Sequence, residues 1–136
     1  MGRREEHRHE LAPLLDQFYE TKNADPLMNY LMKKSNLPGP RANLELADVF
    51  VDEVARHPEK DHSWNLSDQL RGFTSELAPT NNPKEFLCFC GVRLLGAIGL
   101  SSPGDLKKAL ASLGGMAHDS RWRVREGVAM SIQIMS

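Results

Sequence analysis

The sequence predicts an all-α protein, a right-handed superhelix of about seven helices arranged as one leading helix and three hairpins. Apolar residues recur at helical spacing in seven segments, which clusters of Pro, Gly, Asn and Ser separate. In addition, residues 85–92 align with residues 121–128, so that an aromatic residue and a Gly-Val pair recur on two predicted helices. The offset is 36 residues, the separation of Gly91 and Gly127. A period of this size is typical of stacked helical repeats.

The predicted helices, in chain order, lie at about 3–22, 26–36, 41–57, 66–77, 84–99, 105–118 and 121–135. Asp25 is a suitable cap for the second helix, since Pro26 then occupies the tolerated first position. Trp64 and Asn65 are interpreted as the hydrophobic staple and the cap at the start of the fourth. The short connections predict antiparallel neighbours, and no segment predicts a strand.

The length and composition predict one globular domain over residues 1–136, or one piece of a longer array. The chain has 136 residues, of which 40% are hydrophobic and 26% are charged. No apolar run approaches the ~20 residues that span a bilayer, and the N-terminal segment lacks an apolar signal-peptide stretch. We therefore expect a soluble protein in the cytoplasm, with no membrane partner.

The charge distribution is uneven along the chain. The formal net charge is −1, with an acidic excess before residue 83 and a basic excess after it. The C-terminal part therefore suits an acidic partner, whereas the whole chain lacks the positive excess of a dedicated nucleic-acid binder.

No catalytic, metal or cofactor site is predicted. Cys88 and Cys90 lie two positions apart on a predicted helix and point to different sides of it, so they are expected to be unbridged core residues. Two thiols alone are too few for a standard zinc site. The His-containing loop at 57–62 has no regular ligand spacing, and no nucleophile and base can be paired from the sequence.

The last predicted helix has two apolar stripes. One stripe is expected to face the preceding hairpin, and the second, formed by Met130 and Ile134, remains without a covering element. We therefore expect Met130 and Ile134 to contact another subunit, as in a homodimer, or a further repeat.

Residues 119–129 resemble the second-helix signature of HEAT repeats, in which an Asp in the turn precedes an Arg on the second helix. Here these are Asp119 and Arg125. The resemblance implies an armadillo-type α-solenoid and an ion pair between Asp119 and Arg125, part of a ladder of such pairs between repeats. The preceding repeat departs from the pattern, because Phe89 replaces the Arg and Asn82 stands near the Asp position.

A second set of residues resembles the HEAT-like DNA glycosylases that remove alkylated bases. The set comprises Tyr30-Leu31-Met32-Lys33, Trp64 with Asp68, and Trp122 among Arg121, Arg123 and Arg125. This resemblance implies DNA binding. No catalytic residue is transferred from it.

Together these patterns favour a non-catalytic binding or scaffold module that holds a protein partner on the surface of its hairpins. The residues expected to line that surface are Arg41, Asn43, Arg93, Arg121, Trp122 and Arg123. If they do, charge reversal at Arg121 and Arg123 weakens binding without unfolding the protein.

Three alternatives remain open at this point. In the first, Trp122 has a structural role and packs over the turn before its helix, as Phe86 does one repeat earlier. Arg121 and Arg123 are then solvated and bind no partner. The second alternative is a DNA-binding protein of the alkylation-repair type. The third is a self-assembling adaptor that dimerises through its C-terminal helix.

Overall fold

The computed structural model describes residues 2–136, and every regular element in that range is an α-helix. The all-α prediction is therefore confirmed. The helices are α1 (Arg3–Thr21), α2 (Asp25–Lys33), α3 (Leu44–Ala55), α4 (Lys60–Arg71), α5 (Pro83–Ile98), α6 (Pro103–Met116) and α7 (Trp122–Met135). None of these helices combines the length and the apolar character needed to cross a membrane.

The fifth helix is the centre of the fold. It contacts α2, α3, α4, α6 and α7, while α1 packs on α2 and α3. Thirteen of its sixteen residues are buried, since its apolar side chains cover most of its circumference. Cys88 and Cys90 are both buried there as free thiols, as predicted.

Short polar residues and prolines begin several of the helices. The side chains of Asn43, Asn82 and Ser102 each accept a hydrogen bond from a backbone N–H in the first turn of α3, α5 and α6. Pro83 and Pro103 occupy the first positions of α5 and α6, where no backbone N–H is needed.

The start of the fourth helix differs from the sequence prediction. It begins at Lys60 instead of near residue 66, and Trp64 lies inside it, buried, without acting as a staple. The indole N–H of Trp64 donates to Asp105 of α6 at 3.0 Å, and the ammonium of Lys108 lies 4.2 Å from its ring centre. A Trp with a hydrogen-bonding partner on a neighbouring helix is stable inside a core, which the polar local sequence does not indicate.

The two copies of the repeated segment occupy different environments. Phe86 of α5 is fully buried, whereas its equivalent Trp122 of α7 is 45% exposed. Likewise, Ile98 is buried and its equivalent Ile134 is 44% exposed. The reason is position, because α5 packs against five other helices, whereas the main packing partners of α7 are α5 and α6.

Candidate functional site

Two open grooves lie along the surface formed by α3, α5 and α7. The first has a volume of about 520 Å³ and is lined by Pro40, Arg41, Ala42, Leu44, Phe89, Trp122, Arg123 and Glu126. The second has a volume of about 380 Å³ and is lined by Val51, Asp52, Ala55, Lys60, Ala97, Leu100, Ser101 and Ile134. Apart from Lys60, the first residue of α4, the lining residues of both grooves come from these three helices or from the loops beside them.

The two grooves lie at opposite ends of α3 and α7. The first groove uses the starts of α3 and α7, whereas the second uses their ends, so these helices run in the same direction. Between them, Arg93 of α5 donates to Asp48 of α3 at 2.9 Å. We call the two grooves and this ion pair the trough, with α3 and α7 as its walls and α5 as its floor.

The first groove has an aromatic wall and an unpaired cation. Trp122 is half-exposed, and the guanidinium carbon of Arg123 lies 4.6 Å from its ring centre. Phe89 is buried and forms the floor. Arg41 is exposed and has no hydrogen bond or ion pair with any side chain in residues 2–136. The groove therefore presents an indole and a free guanidinium to a ligand.

Arg123 is buried beneath this groove and holds its wall in place. One terminal nitrogen donates to Glu85 Oε1 at 2.9 Å, and the other donates to the carbonyl oxygen of Gly39 at 3.0 Å. The amide of Gly39 in turn donates to the side chain of Asn81 at 3.1 Å. Arg123 thus joins the loop before α3, the loop before α5 and the start of α7. The fixed loop carries Pro40 and Arg41 into the groove.

Two atoms of the Arg123–Glu85 ion pair are buried without a hydrogen-bond partner in residues 2–136, namely Arg123 Nε and Glu85 Oε2. Leaving a buried polar atom without a hydrogen bond costs free energy. The remaining charge-assisted bonds of the pair offset that cost.

Arg121 is the centre of a second buried hydrogen-bond network and lines neither groove. Its guanidinium donates to both carboxylate oxygens of Asp119, each at 2.9 Å, and to the carbonyl oxygens of Phe73 and Ala78. The remaining bond is to Cys88 Sγ at 3.4 Å. All five N–H groups of the guanidinium therefore have acceptors inside the chain.

The structure replaces the predicted ion pair between Asp119 and Arg125 with this one. Arg125 is exposed and donates to the backbone carbonyl of Asp119 at 2.8 Å, while the carboxylate is held by Arg121. The hydrogen bonds from Arg121 hold the pKa of Asp119 below its ordinary value despite partial burial. The carboxylate of Asp119 is therefore paired with Arg121, and Arg125 reaches only the backbone of Asp119.

The six residues expected to line a binding surface divide into two groups. Arg41 and Trp122 are brought together at the first groove and are exposed to solvent. The other four make internal bonds: Arg93, Arg121 and Arg123 as above, and Asn43 as the α3 cap, its amide nitrogen donating to the carbonyl of Lys34.

The two residues expected at a subunit contact lie on the trough side of α7. Ile134 is 44% exposed and lines the second groove beside Leu100, while Met130 is half-buried. Trp122, Glu126, Met130 and Ile134 follow at intervals of four residues, which places them along one face of a helix. This spacing is a sequence signal from which the whole face could have been predicted.

The His-containing loop is part of the packing around α1. The ring of His57 stacks on Tyr19 at 3.8 Å between centres, and the hydroxyl of Tyr19 lies 2.5 Å from Ser63 Oγ. Within residues 2–136, no three His, Cys, Asp or Glu side chains are placed to hold a metal ion.

Comparison of the chain with protein families, with curated proteins and with solved structures found no match.

Proposed function

We propose that this chain is a non-catalytic protein-binding module whose trough holds a segment of a protein partner. The observation that carries the proposal is the first groove, in which the half-exposed Trp122 and the unpaired Arg41 share an open volume of about 520 Å³. Exposed Trp and Arg side chains around an apolar pocket are the residue types that dominate binding energy at protein interfaces.

The proposal includes the architecture of a HEAT-like α-solenoid. In stacked hairpins, one helix of each pair lines a continuous surface, and these helices run in the same direction. The alignment of α3, α5 and α7 along the trough supports this arrangement, as does the 36-residue offset between Gly91 and Gly127. We also propose that the hairpins are stacked as a right-handed superhelix.

The charges of the trough favour a protein over a nucleic acid. Non-specific DNA binding requires several Lys or Arg side chains that reach phosphates. Arg121 and Arg123 are buried in internal ion pairs, and the trough alternates positive and negative residues, among them Arg41, Asp52 and Glu126. Such a mixed surface suits a polar and apolar protein segment.

The composition of the grooves also favours binding over catalysis. Each groove is lined by one carboxylate, Glu126 in the first and Asp52 in the second. General acid–base work usually combines a carboxylate with a second proton-transferring group. The first groove is lined by none, and in the second the ammonium of Lys60 donates to the backbone carbonyls of Ala55 and His57.

The proposal is tested by quantitative capture of partners with matched variants. The immobilised chain is compared with Trp122→Ala and Arg41→Glu, and with Leu110→Ala as a control, since Leu110 is also an exposed apolar residue but lies on α6. We expect a set of proteins that is lost from both trough variants and retained by the control. Equal capture by all four chains would exclude the trough as the binding surface.

The second candidate is DNA binding, which the Arg residues around Trp122 motivated. Fluorescence anisotropy with a DNA duplex, first at low and then at physiological salt, separates the two functions. Tight binding that weakens steeply with salt would favour DNA, since it reports phosphate contacts. We expect no binding at either salt concentration.

A further inference from the structure

We infer that the second groove binds a second copy of this chain, so that two copies form a dimer with two-fold symmetry. In this dimer, Leu100 of each copy packs into the second groove of the other, and Asp52 of each copy pairs with Lys60 of the other. The first groove, which carries the proposed function, lies at the opposite end of α3 and α7 and is not part of this contact.

The second groove has a projecting apolar residue beside an apolar depression. Leu100 is 59% exposed in the turn after α5, and Ile134 of α7 is 44% exposed. Both line the groove, which has a volume of about 380 Å³, together with Val51, Ala55 and Ala97. One surface therefore supplies both a protruding side chain and a recess for it. Contact with a second copy would remove both from water, which favours association.

The turn that carries Leu100 is fixed within the chain. The amide of Leu100 donates to the carbonyl oxygen of Ala97 at 3.2 Å. The end of α7 packs directly on the same turn, since a Cβ at Gly99 would lie only 2.6 Å from Met135 Sδ. A side chain on an ordered turn loses less conformational freedom on association than one on a flexible loop. The protruding Leu100 is therefore preorganised for the contact.

The two charged residues of the second groove have opposite signs, and neither has an ion pair within residues 2–136. Asp52 is exposed and also lacks a side-chain hydrogen bond there. The ammonium of Lys60 donates to the carbonyl oxygens of Ala55 and His57, at 3.3 and 3.2 Å, so one of its three N–H groups remains free. A groove that offers one free carboxylate and one free ammonium N–H is complementary in charge to another copy of itself.

Two-fold symmetry converts this charge pattern into two ion pairs. In an isologous contact, when residue i of one copy contacts residue j of the other, j of the first also contacts i of the second. An axis that passes between Asp52 and Lys60 therefore forms the Asp52–Lys60 pair twice and keeps like charges apart. The contacts of Leu100 also form twice, and neither copy leaves its groove uncovered. A second copy thus matches both the apolar and the charged residues of the groove.

The first test is sedimentation velocity of the wild-type chain from about 1 to about 300 µM, the range in which interfaces of modest area associate. We expect the mass to rise with concentration from one chain to two and no further. Leu100→Glu should weaken the dimer at least about tenfold, because it places an unpaired carboxylate in the groove of each copy. The control Leu77→Glu should leave the dimer intact, since Leu77 is 63% exposed in the segment before α5 and lines neither groove.

The second test is an exchange of charge between two variants. Asp52→Lys gives a groove with two cations and Lys60→Glu gives one with two carboxylates. Like-charge repulsion should therefore keep each variant monomeric at concentrations where the wild-type chain is dimeric. An equimolar mixture should form a heterodimer, because each cation then meets a carboxylate.

Circular dichroism verifies that both charge variants fold, since Lys60 also bonds to carbonyls at the end of α3. If Lys60→Glu does not fold, the salt response of Asp52→Lys replaces the mixture. Salt at about 0.5 M should strengthen association of Asp52→Lys and weaken that of the wild-type chain, because it screens repulsion in one and attraction in the other.

A wild-type chain that stays monomeric throughout would overturn the inferred dimer, as would equal effects of Leu100→Glu and Leu77→Glu. A mixture of folded charge variants that stays monomeric, or the same salt response in Asp52→Lys and the wild type, would overturn the Asp52–Lys60 pairing and with it the two-fold contact. The first groove is unchanged in all these variants, so failure of the dimer and failure of the proposed function are distinguishable.

Discussion

The guanidinium of Arg121 donates two hydrogen bonds of 2.9 Å to the carboxylate of Asp119, from Nε to Oδ1 and from Nη2 to Oδ2. The same guanidinium donates to the carbonyl oxygens of Phe73 and Ala78, in the segment that joins α4 and α5. We call these bonds the Arg121 node; they attach the start of α7 to the segment between α4 and α5. Because α7 forms one wall of the trough, the node supports the candidate site without contacting a ligand.

Replacement of Arg121 by Lys should destabilise the fold. The ammonium of Lys carries three N–H groups and lacks the planar fork that serves five acceptors here. We expect a loss of about 3–5 kcal/mol in the free energy of unfolding, the range for breaking a buried ion pair, measured by urea denaturation. The control Arg125→Lys, at an exposed position, should change it by less than about 0.5 kcal/mol. Similar losses in both variants would contradict the role of the node.

Asp119 should make stability dependent on pH in the acid range. Because Arg121 lowers its pKa in the folded state, the ordinary value of 3.8 applies only after unfolding. Its contribution is therefore complete above pH 3.8 and is lost as the pH falls through the lower folded value. We expect the wild type to exceed Asp119→Asn by about 1.5–3 kcal/mol at pH 7. Urea denaturation should show this difference shrinking below pH 3.8; a constant difference down to pH 2 would contradict the assignment.

The repeat-equivalent aromatic residues should respond differently to truncation. Phe86→Ala removes a fully buried side chain and should cost about 3–5 kcal/mol in unfolding free energy. Trp122→Ala removes a half-exposed side chain, and we expect it to cost far less, about 1 kcal/mol. Thermal and urea denaturation of the two variants measure this contrast. Equal losses in the two variants would mean that Trp122 contributes as much to the stability of the fold as Phe86 does.

Two helical glycines should respond to alanine with opposite signs. A Cβ at Gly91 would lie 2.8 Å from Leu70 Cβ and 3.0 Å from the backbone nitrogen of Arg71, so Gly91→Ala should separate α4 from α5. We expect a cost of about 1–3 kcal/mol. A Cβ at Gly114 of α6 meets no atom within 4 Å, and Gly114→Ala should stabilise the chain by up to about 1 kcal/mol. A neutral Gly91→Ala variant would show that the helices do not approach this closely.

Both thiols should be unreactive in the folded protein. Burial raises the pKa of Cys88 and that of Cys90, and it also blocks access to both side chains. We expect no labelling by a thiol-specific disulfide reagent under native conditions and two labelled thiols after denaturation. Rapid labelling of either cysteine without denaturant would contradict the packing of α5.

The sequence predicted the all-α class because periodic apolar stripes and Pro or Gly breaks are local signals. The start of α4 was placed six residues late, because its first turns are polar and are stabilised by distant contacts, among them the bond from Trp64 to Asp105. Local patterns do not contain such contacts.

The candidate site was predicted only in part, for the same reason. Arg41 and Trp122 were identified as surface residues and do meet in one groove. Arg121 and Arg123 were placed on that surface as well, but their acceptors lie far away in the sequence, at Phe73 and Glu85 among others. A cluster of Arg residues therefore suggests a ligand site until the internal carboxylates and carbonyls are located. For these two residues, charge reversal would report stability instead of binding.

The most direct test of protein binding at the first groove is site-specific photo-crosslinking. A benzophenone amino acid replaces Glu126 on the trough wall, and in a matched chain it replaces Leu110 on α6. After irradiation in an extract, the adducts are mapped by mass spectrometry. We expect adducts from position 126 to one defined segment of a protein partner, and none of these adducts from position 110. Identical adducts from both positions, or adducts from position 126 to nucleic acid alone, would contradict it.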